Sequence, residues 1–352
     1  MEKIQHRLGM IGYGGMGTYH HTQIEKPENL AYTAACDILP ERAKKAAAAG
    51  LQVFADAQTM LEQADVEAVL VATPNHIHFD LAMAALAQGK HVILEKPATL
   101  NATQFATLMA EAKKRDLLLT THQNRRMDKD FRIIQKILDD GTLGDVFRLE
   151  SRVEGSRGIA NTWRRQKAFG GGMLYDWGVH LLDQLLYMIP GKVTSVFMRQ
   201  QHLIPSDADD NFRLELEFDT GISALVEVGT CNFLMHPLWY VLGRKGSAQI
   251  DYWDLQGKIV QLTNEKIDWE KEIKPNIAGP SITMAPRTED TVSMLPLPEV
   301  EVDKGIFYRN FAAALEGKEA LWVKPEETLR VMQVIDLAFA SAEANQVLFC
   351  NI

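Results

Sequence analysis

The feature that most constrains this chain is a rhythm in its first third. Short apolar runs ending at glycine or an acid alternate with helix-forming stretches rich in alanine. Residues 8–11 are an apolar run that ends in Gly12-Tyr13-Gly14-Gly15-Met16-Gly17, and a helix can begin at Thr18. Residues 31–36 repeat the pattern and end at Asp37; residues 40–49 form a helix stopped by Gly50. Residues 66–72 lead to Thr73-Pro74-Asn75 and a helix to Gln88, and residues 91–94 lead to Glu95-Lys96-Pro97. Asn101 caps a further helix, and residues 117–120 are one more strand. Strands alternating with helices of this length predict right-handed βαβ units and a parallel sheet over residues 1–121.

Beyond Thr121 the rhythm changes, so residues 122–352 form a second, α+β domain. Helices are expected over 130–139, 174–188, 306–315 and 326–345, and strands over 146–154, 193–201, 211–218, 223–229 and 239–243. Arg213 to Phe218 alternates polar and apolar, the mark of a half-buried antiparallel strand, and Asp219-Thr220-Gly221 is a hairpin turn. Residues 255–303, with scattered prolines and charges, read as loops with edge strands.

The glycine motif gains meaning from its place after a strand and before a helix. Glycine permits the tight turn and the close approach of backbone to a pyrophosphate, and the helix start offers free N–H groups to it. Gly12, Gly14, Gly15, Met16 and Gly17 are therefore expected to hold a dinucleotide. Asp37 would accept hydrogen bonds from the adenosine ribose and repel a 2′-phosphate, favouring NAD, unless it only caps the next helix; Arg42 nearby keeps NADP as the alternative. Thr73, Pro74, Asn75 and His78 leave a strand at the carboxyl edge where such ligands bind, although Asn75 also fits an ordinary helix cap. Glu95 and Lys96 leave another. Lys96 would stabilise an alkoxide near the nicotinamide, or else pair with Glu95. His76 and His78 face different ways and lack a thiol or carboxylate cluster, so no metal is expected.

Gly170-Gly171-Gly172 opens the second candidate group. Asp176 and His180 stand one helical turn apart, so both reach one pocket, and Asp183 extends that face or bonds a partner helix. Histidine accepts a hydroxyl proton near neutrality, and a carboxylate orients it. The alternative is a structural histidine, and the three glycines, which permit close approach of cofactor or substrate, weigh against it. Trp163, Arg164 and Tyr175 are candidates for a substrate wall, with Arg165 assigned to packing.

Totals exclude other classes. Net charge is −9, with 37 basic against 46 acidic residues, which argues against nucleic acid or an anionic membrane as partner. Three scattered cysteines without a CxxC pair suggest neither a disulfide framework nor structural zinc. No signal-like apolar segment begins the sequence, so a cytoplasmic setting is expected.

GYGGMG at 12–17, Asp37, ATPNHIH at 72–78, EKP at 95–97 and GGGMLYDWGVHLLD at 170–183 together resemble the glucose–fructose oxidoreductase/inositol dehydrogenase/rhizopine-catabolism (Gfo/Idh/MocA) family. The resemblance implies a Rossmann domain followed by a large, mostly antiparallel open sheet that forms homodimer or homotetramer contacts. It implies that Lys96, Asp176 and His180 are catalytic, His180 taking the hydroxyl proton while hydride passes to NAD. It also implies that Asn124 and Arg126, from Gln123-Asn124-Arg125-Arg126, belong to the substrate pocket, with Met127 where the family places an aromatic. Expected substrates are polyols, sugars, cyclitols or glycosides. A glycosidase working by transient ring oxidation is the rival enzyme, and a nucleotide-sensing regulator the non-enzymatic rival.

Overall fold

The computed structural model describes residues 5–263 and 289–352, together with single residues between them. In the first half, strands β1 (His6–Ile11), β2 (Leu30–Cys36), β3 (Gln52–Phe54), β4 (Ala68–Val71), β5 (His91–Leu94) and β6 (Leu119–Thr121) alternate with helices α1 (Gly15–Thr22), α2 (Pro40–Ala48), α3 (Ala57–Gln63), α4 (His78–Ala87) and α5 (Ala102–Lys114). All strand pairs are parallel, in the order β3-β2-β1-β4-β5-β6. This is the doubly wound order, and its switch point lies between β1 and β4. Every residue of β4 is buried, as expected for a strand covered on both faces.

The second half begins with α6 (Lys129–Asp139) and β7 (Val146–Glu154). A wide, π-type turn at Leu174–Gly178 leads into α7 (Val179–Met188). There follow β8 (Val193–Gln201), β9 (Asn211–Phe218), β10 (Ser223–Gly229), β11 (Trp239–Gly243), β12 (Gly246–Ile250), β13 (Gly257–Leu262) and β14 (Val292–Leu295). Helices α8 (Ile306–Leu315) and α9 (Pro325–Ala344) and the short β15 (Leu348–Phe349) close the chain. The nine strands run β14-β13-β12-β11-β7-β10-β9-β8-β15, antiparallel except for β7 with β10. Along β9, Phe212, Leu214, Leu216 and Phe218 turn inward while Arg213, Glu215 and Glu217 turn out, so one face is packed and one open. Helix α9 packs against β8 and α7 on the covered face.

The last third of the chain returns to the first sheet. Phe307, Tyr308 and Phe311 of α8 share a core with Leu8, Met10 and Tyr32. Of the stretch 255–303, β13 and β14 do lie at the sheet's edge, and residues 264–276 fall outside the described residues.

Candidate active site

The glycine turn is built as its sequence requires. Gly12 has φ +95°, and a Cβ there would lie 2.5 Å from the Ala72 carbonyl oxygen just beyond β4. At Gly17 a Cβ would lie 2.2 Å from the Gly12 carbonyl oxygen, so helix α1 can sit on the turn only without a side chain. Gly15 is different: nothing lies within 4 Å of its Cβ position, and Gly14 gives the helix start no side-chain cap. The first-turn N–H groups of Gly15, Met16 and Gly17 thus have no capping side chain and stand at a positive dipole end, with no acidic residue in that turn and open space beside Gly15. This cradle fits the pyrophosphate of a dinucleotide.

Asp37 stands at the end of β2 beside this turn, but its carboxylate has internal partners. It accepts from Tyr13 N at 2.8 Å and Leu39 N at 2.9 Å, and its side chain is only 4% exposed. It thus fastens the glycine turn to the loop after β2. Arg42 Nη1 approaches it at 3.8 Å and reaches over Gly14, which puts a cation at the rim of the cradle.

The loop after β4 meets the triple glycine. Asn75 is buried and its Nδ2 donates to the Gly170 carbonyl at 2.7 Å. A Cβ on Gly170 would lie 2.8 Å from Asn75 Cβ, and one on Gly172, at φ +108°, 2.0 Å from Asp209 Oδ1. The glycines are needed for this chain-to-chain approach. His78 moves from the cofactor group to a structural one. It is fully buried, and its Nδ1 and Nε2 lie 2.9 Å from the carbonyl oxygens of Pro97 and Thr73. Burial lowers its pKa, so the neutral ring donates to one carbonyl and staples the loops leaving β4 and β5. Thr73 and Pro74 remain half-buried on that edge, and His76 packs on Phe169 with ring centroids 4.7 Å apart.

Lys96 follows β5, its bond to Pro97 cis, and crosses to the second domain. Its Nζ donates to Asp176 Oδ1 at 3.0 Å and to the Asp176 carbonyl at 2.7 Å. Arg164 Nε reaches the same carboxylate at 3.5 Å. Burial pushes the Asp176 carboxyl up, but Lys96 and Arg164 outweigh it and hold the pKa below its ordinary value. Asp176 lies in the π-type turn, whereas a regular helix was expected to start at Leu174, and His180 lies in the first turn of α7. His180 is 4% exposed, and its Nδ1 is buried with no partner. Burial, then the nearby charges of Lys96 and Arg125, hold its pKa well below the usual histidine range. Glu95, 4% exposed directly behind Lys96, works in the opposite direction on His180.

Other expected site residues divide. Trp163 stays half-buried, with the Arg164 guanidinium 4.7 Å from its ring centroid, while Arg165 bonds the Ile159 carbonyl. Asn124 is half-buried, its Oδ1 unpartnered. Arg126 is not at the pocket: it is 1% exposed, grips Asp183 with bonds of 2.7 and 2.6 Å, and reaches Glu327 at 2.8 Å. This also settles Asp183, whose partner is Arg126 of the preceding segment. Tyr175 likewise turns away, its hydroxyl donating to the Leu100 carbonyl and its ring 5.2 Å from Phe339. Arg125, the neighbour of Arg126, instead faces aromatic rings. Its guanidinium lies 4.0 Å from the Trp177 ring centroid and 5.7 Å from that of Trp253, and Trp177 in turn lies 6.0 Å from His180. Neither tryptophan was singled out by the sequence, since a lone aromatic in a helix or loop reads as core or surface.

Comparison with known proteins agrees with this geometry. The family model described as "Oxidoreductase family, NAD-binding Rossmann fold" matches residues 6–123, and the "GFO/IDH/MocA C-terminal domain" matches residues 131–249. The chain is 27% identical to the scyllo-inositol 2-dehydrogenase (NADP(+)) of Bacillus subtilis (strain 168), covering 97% of this chain and 95% of that one. It is also 27% identical to the myo-inositol 2-dehydrogenase of Thermotoga maritima, over 63% of this chain and 67% of that one. An NAD-binding protein from Listeria innocua of known structure superposes with a TM-score of 0.88 at 40% identity, over 98% of this chain and 97% of that one. With both of its domains matched, in order, around the Lys96–Asp176 pair, the chain belongs to the Gfo/Idh/MocA family of NAD-binding oxidoreductases.

Proposed function

We propose that this NAD(P)-dependent dehydrogenase oxidises a secondary hydroxyl of a sugar, cyclitol or glycoside, with Lys96, Asp176 and His180 at the reacting carbon. The observation that carries the reading is the Lys96–Asp176 contact at 3.0 Å, which brings the carboxyl edge of the first sheet against the turn that leads into α7, the helix that bears His180. A nicotinamide bound on that edge supplies the hydride acceptor. Lys96 presents its ammonium to the reacting oxygen, and Asp176, kept ionised by Lys96 and Arg164, fixes the lysine and accepts from a neighbouring hydroxyl. His180, neutral at physiological pH, is free to take the hydroxyl proton. Arg125, Trp177 and Trp253 offer a cation and aromatic faces beside it for a ring substrate.

The names of the inositol dehydrogenase relatives support a cyclitol or related polyol as substrate. For the cofactor, Asp37 at the ribose end supports NAD, while Arg42 over Gly14 supports acceptance of NADP, the cofactor in one relative's name. Incubation with NAD or NADP and a panel of inositols, hexoses and glycosides tests the reading. Steady reduction of the nicotinamide is expected with at least one polyol; bond cleavage without net reduction would replace it with a redox-assisted glycosidase.

Assembly into a homodimer or homotetramer is supported by the open face of the second sheet. A hollow of about 640 Å³ there is lined by Arg199, Gln201, Arg213 and Glu227, and Phe233 and Leu234 stand 83% and 89% exposed on the adjoining loop. No helix among the described residues is long and apolar enough to cross a membrane, and a cytoplasmic setting is part of the same proposal.

A further inference from the structure

Two buried acids stand close to the active site, and they are held differently. Glu95, behind Lys96, shares one oxygen between His20 Nε2 at 2.7 Å and His122 Nδ1 at 2.9 Å. Asp209, in the loop between β8 and β9, is 4% exposed and forms no ion pair among the described residues. A desolvated carboxylate without a counter-charge is costly to keep, so its presence draws attention to the groups it holds.

Those groups open the turn that carries Asp176. Leu174 is the first residue of that turn, and the N–H groups of a helical first turn have no acceptor within the helix. Asp209 supplies acceptors from outside. Its Oδ2 accepts from Leu174 N at 2.8 Å, and its carbonyl accepts from Met173 N at 2.9 Å. Its other carboxylate oxygen rests against Gly172, where a Cβ would lie 2.0 Å from Oδ1. The Gly172 carbonyl in turn accepts from Asp176 N, and Gly172 N donates to the Arg164 carbonyl, both at 3.0 Å. The same loop grips the preceding segment. Ser206 Oγ donates to the Arg165 carbonyl at 2.8 Å, and Asp207 Oδ1 accepts from Lys167 N at 2.9 Å. Arg164 and Asp176, whose side chains meet at 3.5 Å, therefore both stand on backbone fastened to this one loop.

We propose that the Asp209 carboxylate is a positioning residue for the oxidation: ionised, it caps the turn before α7 and so keeps Asp176 within reach of Lys96. The inference rests on the dehydrogenase reading above. Negative charge is favoured at the positive end of a helical turn, and an ionised acceptor bonds an N–H more strongly than a neutral one. The turn should loosen when Asp209 takes a proton. A reacting group displaced by about 1 Å can cost on the order of 10²-fold in rate.

Burial pushes the Asp209 carboxyl up to about 6, against the backbone N–H groups that bond it and the pull of His202. His202 itself lies on the Ala208 carbonyl through Nδ1 at 3.1 Å, and Asp210 accepts from Leu203 N and Ile204 N at 2.6 and 2.7 Å. On the facing turn, Tyr175 keeps its hydroxyl on the Leu100 carbonyl. Asp336 of α9, the other acid bearing on Tyr175, accepts from Ala102 N at 2.9 Å. Asp176 and His180 both lie below their ordinary ranges, so a loss of activity near pH 6 would belong to Asp209.

Amide NMR of the whole protein without substrate tests the hold. The Leu174 amide proton should move on acidification with a midpoint near 6, and the Asp176 amide should move with the same midpoint. In Asp209→Asn, which keeps an acceptor for Leu174 N but cannot ionise, neither should move in that range. A wild-type Asp176 amide that stays still through this range would overturn the proposal. For the rate, the inositols, hexoses and glycosides of the panel above are the probes, with NAD and NADP. Asp209→Ala should lower kcat about 10²-fold while NADH binding and KM hold. Asp209→Asn should recover most of that loss at mildly alkaline pH and should lack the wild-type fall in kcat near pH 6; its profile stands in if Asp209→Ala does not fold. Wild-type kcat in Asp209→Ala, or an unchanged acid limb in Asp209→Asn, would overturn the positioning role and leave the dehydrogenase reading intact. Coupled amide titrations in a wild-type protein that reduces no nicotinamide with any probe would instead overturn that reading, and Asp209's part in it.

Discussion

At the scale of single residues, Lys96 decides most. Its side chain ties the carboxyl edge of the first sheet to the turn before α7, through one side-chain and one backbone bond to Asp176. Lys96→Ala should lower kcat/KM by about 10²–10³-fold, the usual cost of removing one preorganised donor from a developing oxyanion. NADH binding, followed by fluorescence, should persist because the glycine cradle does not involve Lys96. The pH dependence should change as well. With Lys96 gone, burial dominates at Asp176 and its carboxyl pKa rises, so activity should be lost further as pH falls. A Lys96→Ala protein with wild-type turnover and an unchanged acid limb would remove both residues from the chemistry.

At the scale of elements, what was legible in the sequence depended on how local the signal is. Strand β9 matches its expected bounds because its period-two alternation and the hairpin turn that follows are written in consecutive residues. The β3 strand at Gln52–Phe54 is too short to carry a period, and α3 and β12 also escaped notice. The glycine turn, Lys96, Asp176 and His180 could be picked out from motifs, but their neighbours could not. His20, Glu95 and Tyr308 come from α1, the end of β5 and α8, and nothing in the sequence pairs them. The same holds for Arg126, which joins Asp183 on α7 to Glu327 on α9 and so fastens three segments. Arg126→Met leaves the Asp183 carboxylate buried and unpaired, where burial already pushes its pKa up. Unfolding in denaturant should show a loss of about 3–5 kcal/mol, and Arg126→Met with Asp183→Leu should recover much of it. A single variant within about 1 kcal/mol of wild type would mean that Asp183 finds water or another donor.

At the scale of the whole molecule, the buried imidazoles make stability a function of pH. His20, His78, His91 and His180 all have pKa values lowered, in each case first by burial. In the unfolded chain they take up protons near 6.5, whereas the folded protein resists doing so. The unfolded state therefore binds more protons below that pH, and stability must fall as pH falls. For His20 alone the window runs from 6.5 down to about 4. At 1.36 kcal/mol per pH unit, crossing it costs about 3 kcal/mol. Glu95, held ionised far below its ordinary pKa, stabilises the fold above 4.5 and loses that contribution at more acid pH, so its effect follows the histidines'. Thermal melts should be nearly flat above pH 7 and drop steadily between pH 6.5 and 4, a midpoint fall of several degrees. His20→Gln retains a donor toward Glu95 but cannot be protonated, and should flatten part of that slope. Melting temperatures that hold constant from pH 7 to 5 would show that the interior admits protons freely, which a dry His20–Glu95–His122 cluster does not allow.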